Sequence, residues 1–113
     1  PFPKPRSLAS GLAHIRGVVS AGQQAGEGWL LTAEMMESLE NGIPNVVCLQ
    51  PFGCLPNHIT GKGVMRTLRE RFPEANLCAI DFEAGTSRAN VSNRLKLFLR
   101  QAKEHFEKEN GKP

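Results

Sequence analysis

Apolar positions recur along this chain in two rhythms, one helical and one continuous, and the switches between them mark its elements. Leu8, Leu12, Ile15, Val18 and Val19 return every three or four residues, which predicts a helix over residues 7–20 that Gly11 and Gly17 weaken. The stretch AGQQAGEG at 21–28 reads as a polar loop. Leu31, Met35 and Leu39 then fall at i, i+4 and i+8, a second helix over 29–40 with Trp29 at its entry. Asn41-Gly42-Ile43-Pro44 should stop it: Gly42 can take the left-handed position, Ile43 the accompanying apolar contact, and Pro44 prevents continuation.

The rhythm then changes. Val46-Val47-Cys48-Leu49 is apolar without alternation, as expected of a strand covered on both faces. Pro51, Gly53 and Pro56 end it in a loop, after which Val64, Met65, Leu68 and Phe72 share one face of a third helix. Leu77-Cys78-Ala79-Ile80-Asp81 predicts a second buried strand, FEAGTS at 82–87 a second strand-to-helix loop, and Val91, Leu95, Phe98, Leu99, Ala102 and Phe106 the buried stripe of a last helix over 88–109. The order α-α-β-α-β-α holds one βαβ unit. The expectation is therefore a single α/β domain over residues 1–113: a small parallel sheet of two strands, joined by a right-handed crossover and flanked by helices, in a Rossmann-like arrangement. Three prolines make residues 1–6 a loosely ordered start. A two-stranded sheet leaves both edges open, so completion by a second copy or by further parts of a longer chain is expected. The absence of an initiating Met, the Pro-rich start and the fading KENGKP end point the same way, to a fragment excised from a longer protein.

Composition narrows the class. With 40% hydrophobic and 22% charged residues, the chain has the balance of a folded globular domain. No apolar run is long enough for a membrane span, and the start lacks the apolar core of a signal peptide. The net charge of +3 does not signal nucleic acid, because Arg66, Arg69 and Arg71 flank Glu70, and Lys103 and Lys108 flank Glu104 and Glu107, the pattern of solvated helix faces. Three cysteines, an odd number with no CxxC pair, argue for a reducing, cytoplasmic setting over a disulfide framework.

Candidate chemistry centres on Cys54. Cys48 and Cys78 lie inside apolar strands and read as small core hydrophobes. Cys54 lies in the loop before a helix, where backbone N–H groups and the helix dipole favour a thiolate that acts as nucleophile or metal ligand. No Arg follows it as a phosphatase loop requires, so its neighbours are His58, four residues on, and Lys62, near the helix start and able to attract an anion. Thr60-Gly61-Lys62-Gly63 lacks the spacing of a phosphate loop, and its glycines instead allow close packing of the helix's first turn. Asp81 and Glu83 follow the second strand, where ligands of α/β folds bind, and otherwise read as ordinary strand-end polar residues.

Residues 26–99 also resemble a known family, most closely in GEGW, QPFGCLPNH with the following GKG, and ANLCAIDF. They are similar to the C-terminal region of large activator-type proteins of 2-hydroxyglutaryl-CoA dehydratase, the CoA-substrate-specific enzyme activases. That resemblance implies an α/β part akin to a dehydratase component, in a parent whose separate ATPase modules drive electron transfer from a [4Fe–4S] cluster. Cys54, in the GCLPNH motif, would be the cluster ligand, with the other ligands drawn from elsewhere. The implied partners are the remaining domains of the parent and a 2-hydroxyacyl-CoA dehydratase. No nucleotide signature is present, so the ATPase activity lies outside this chain. Two alternatives stand beside it. One is a phosphate-, CoA- or nucleotide-binding module using Cys54, His58 and Lys62. The other is a structural interaction domain that docks, or forms a homodimer, through an open sheet edge.

Overall fold

A computed structural model describes residues 7–111; the expected loose start at 1–6 lies outside them. The first helix, α1 (Leu8–His14), is capped by Ser7, whose hydroxyl accepts from the Ser10 N–H at 3.3 Å. It ends sooner than the expected residue 20. Gly17 adopts φ 77°, and the Val18 and Val19 N–H groups both turn back to the Ile15 carbonyl, so the chain folds over in turns. The second helix, α2 (Trp29–Glu40), has the expected bounds. Its stop also forms as expected: Gly42 at φ 77° donates to the Leu39 carbonyl at 3.1 Å, and Ile43 to the Ser38 carbonyl at 2.9 Å. The expected apolar contact of Ile43 is not buried, since that side chain remains 55% exposed. Glu40, at the end of α2, accepts from His14 of α1 and lies 3.9 Å from the Arg71 guanidinium, tying the two helices to the segment below.

Strands β1 (Asn45–Pro51) and β2 (Asn76–Phe82) pair in parallel, with Asn45 opposite Asn76 and Pro51 opposite Phe82. The mixed α/β architecture, the two-stranded parallel sheet and the element order are as the sequence implied. The connecting helix is not one piece. A wide π-type turn over Asn57–Gly61 is followed by a 3-10 turn over Lys62–Val64, and only then by α3 (Met65–Arg71). Gly61 sits at the junction with φ −95° and ψ −84°, outside helical geometry.

One face of the sheet carries the core. Cys48 and Leu77 join Met35, Met36 and Leu39 of α2 and Met65 and Leu68 of α3. The last helix, α4 (Arg88–Asn110), packs on β2, and Asn76 donates to the Phe98 carbonyl at 3.0 Å. Three expectations of burial are corrected here. The strand β1 is covered on one face only, with Cys48 and Gln50 buried and Leu49 between them 55% exposed. Cys78 is half-buried rather than sealed in the core. Of the expected α4 stripe only Phe98 is buried, while Leu99 and Phe106 are 62% and 66% exposed. A helix of 23 residues runs about 35 Å, far beyond the width of two strands, so most of its apolar face has no sheet beneath it. The charged residues do form the expected solvated i,i+4 pairs: Arg66–Glu70, Arg100–Glu104 and Lys103–Glu107.

Both edges of the two-stranded sheet lack a neighbouring strand among the described residues, and they differ in how their outward carbonyls are covered. Pairing uses the backbone of Val46, Cys48 and Gln50 on β1, since Asn76 donates to Pro44 and Phe52 to Phe82 at the two ends of the ladder. The outward carbonyls of β2 are therefore those of Leu77, Ala79 and Asp81, and the first two are capped by guanidinium groups. Arg69 of α3 donates to Leu77 at 2.8 Å, and Arg94 of α4 donates to Ala79 at 3.0 Å. Among the described residues, no helix is long and apolar enough to cross a membrane.

Candidate functional site

The loop after β1 is built outward from the strand end. Pro51 faces away from β2, and its carbonyl accepts from the Cys54 N–H at 3.1 Å, closing a tight turn. The Cys54 thiol, half-buried, lies 3.1 Å from Asn57 Oδ1, to which it donates. The other end of the same amide donates to the Leu49 carbonyl at 2.5 Å. Beneath it, fully buried Gln50 donates from Nε2 to the Asn57 carbonyl at 2.9 Å and lies 3.3 Å from Cys48 Sγ. Asn57 is thus the hub that fixes Cys54 over the carboxyl end of β1. Gln50 Oε1 is buried with no hydrogen-bond partner among the described residues.

The wide turn is held from the other side by two buried threonines. Thr32 of α2 donates to the Thr60 carbonyl at 2.6 Å, and Thr60 Oγ1 lies 2.6 Å from the Gly28 carbonyl and 2.8 Å from that of Pro56. Gly61 then passes so close to β1 that a Cβ there would lie 2.9 Å from Cys48 Sγ and 3.1 Å from Gln50 Nε2. Close packing of that turn is the role expected of its glycines.

Cys54, His58 and Lys62 follow one another along this segment, but no hydrogen bond or ion pair joins their side chains among the described residues. His58 is exposed, and its N–H bonds the Cys54 carbonyl at 3.2 Å. Lys62 reaches away to β2, placing Nζ 3.2 Å from Asp81 Oδ2, with both side chains about half exposed. The Lys62 N–H is used within the turn, by the carbonyls of Asn57 and His58. The helical segment expected after Cys54 begins at Leu55, but it widens and then tightens over residues 57–64 before regular α-helix resumes at Met65.

The three cysteines do not converge. Cys48 lies in the core, where burial pushes its thiol up from the ordinary range against a smaller lowering by Gln50. The residue alternation of β2 puts Cys78 on the opposite face of the sheet. No group of three metal-ligating side chains forms among the described residues. An iron–sulfur cluster is held by several thiolates, usually four, so the described residues by themselves do not fit one.

A second cleft, of about 390 Å³, opens where β2 ends, lined by Asp81, Glu83, Thr86, Ser87, Asn90 and Arg94. The Glu83 N–H donates to Thr86 Oγ1 at 2.9 Å, closing the turn before α4. Asp81 and Glu83 lie at this strand end as the sequence placed them.

Sequence reasoning passed over Asn57 and Gln50. The signal for Asn57 was its place in the GCLPNH stretch, three residues after the cysteine, where a side-chain amide can bond back into its own turn. For Gln50 the signal was a polar residue continuing an apolar strand. Comparison of the chain with protein-family models, with curated proteins and with solved structures finds no match.

Proposed function

We propose that this chain is a non-catalytic α/β unit whose Cys54 loop forms one wall of a site completed by other polypeptide. The observation that carries the reading is the surface around the thiol. Phe52, Leu55 and Ile59 are 79%, 61% and 42% exposed beside a cysteine that Asn57 holds in one orientation. Large apolar groups gathered around an ordered polar centre mark a surface that another body covers. The resemblance of QPFGCLPNH supplies the chemical class: the C-terminal part of a 2-hydroxyacyl-CoA dehydratase activator, with Cys54 as one sulfur ligand of a [4Fe–4S] electron-transfer site or as part of a CoA-substrate site. The remaining thiolates belong to the covering polypeptide, since Cys48 and Cys78 lie away from the loop.

The test is anaerobic iron and sulfide analysis of the longest polypeptide that carries this chain, with and without Cys54→Ala. Loss of bound iron in the variant is expected; unchanged iron and sulfide remove Cys54 from the ligand set. A second reading, a module for phosphate-bearing ligands such as CoA or a nucleotide, draws on the polar cleft at the end of β2. There Thr86, Ser87 and Arg94 surround the start of a long helix. Calorimetry with CoA and with ATP separates the two, because binding that survives Cys54→Ala favours the cleft.

A further inference from the structure

The backbone of β1 that points away from β2 belongs to Asn45, Val47 and Leu49, by the alternation of a parallel ladder. Asn57 caps the Leu49 carbonyl, which ends the free stretch on that side. The Val47 N–H and carbonyl and the Leu49 N–H have no partner among the described residues. Alongside them runs a groove of about 370 Å³ bounded by Leu31, Glu34 and Ser38 of α2. On the other face, Leu49 is more than half exposed. An extended segment laid in this groove would satisfy the main chain and find an acidic wall on one face and an apolar one on the other.

The sign of the charge selects the occupant. Glu34 lies close enough to Glu27 and Glu37 for their repulsion to act on it. Neither Glu27 nor Glu34 is ion-paired among the described residues. A second copy joined through antiparallel β1 strands would turn about an axis normal to the sheet, bringing both α2 helices to the same side and Glu34 toward its own image. That arrangement sets like charges together across the new interface, which a cationic strand would instead neutralise.

We propose that the outer edge of β1 takes up an extended strand from another polypeptide, with lysine or arginine on the face toward α2 and apolar side chains on the face that continues Val47 and Leu49. The site is distinct from the Cys54 thiol and does not rest on its role. The probe is a short, blocked peptide alternating valine with lysine, compared with its valine–glutamate counterpart by fluorescence anisotropy and by amide hydrogen exchange. The lysine peptide is expected to bind at least about tenfold more tightly and to slow exchange at the Val47 and Leu49 amides. Methylating its alternate backbone nitrogens should abolish the effect, and Glu34→Lys should invert the charge preference. Equal binding of the two peptides overturns the proposal, as does binding that leaves those two amides unprotected. So does a free protein that sediments as a dimer with them already protected, which would make the occupant a second copy.

Discussion

Glu34 is exposed yet not indifferent to folding. Its carboxyl is raised above the ordinary 4.5, first by partial burial and then by repulsion from Glu27 and Glu37. A raised carboxyl favours the fold when protonated, so its contribution is complete below the unfolded value and is lost as pH rises through the folded one. At pH 7 the wild-type chain therefore carries a small penalty that Glu34→Gln removes. The expected gain is within about 0.5 kcal/mol, because the site is open to solvent. Urea midpoints at pH 7 and near pH 3 check this: the variant is more stable at the first and equal to wild type at the second. At this scale the sequence was legible where a residue acts through its own chemistry and position, as with buried Cys48, loop-borne Cys54 and the Gly61 close approach. It was opaque where a residue acts through partners brought near by the fold. Asn57 joins Cys54 to Leu49 only because the turn widens at 57–61, and no spacing rule announces a π-type turn.

The last helix separates periodicity from burial. Its apolar spacing was read correctly from the chain, and the helix forms over Arg88–Asn110. Periodicity says which residues share a face, not whether anything covers that face. Phe98 alone is buried, and Asn76 anchors the helix at that same residue. Phe98→Ala should therefore cost about 3–5 kcal/mol, whereas Leu99→Lys, one position along, should stay within about 0.5 kcal/mol. Chemical denaturation of the two variants measures the contrast, and similar losses would show that the exposed stripe is packed in solution. The same distinction explains β1, whose unbroken apolar run predicted two covered faces while Leu49 on one of them is left 55% exposed. The run of apolar residues reports the environment the strand is suited to, and in this chain that environment is half present.

For the molecule as a whole, the parallel pairing and the element order were legible because a crossover helix between two apolar runs permits little else. The unequal edges were not, since Arg69 and Arg94 looked like ordinary charges on solvated helices. Their guanidinium groups instead bend back to the Leu77 and Ala79 carbonyls. Replacing both with methionine keeps length and helix propensity but frees those carbonyls. Sedimentation of the double variant should then show concentration-dependent association, and an unchanged monomer would mean that the caps are incidental. The consequence reaches beyond stability, to stoichiometry. Repeated strand-on-strand growth needs every unit to offer two live ends, one to be joined and one to join the next. A unit with one end partly capped is joined there less readily than at its other end, so its assemblies are biased toward short, terminated series over fibres.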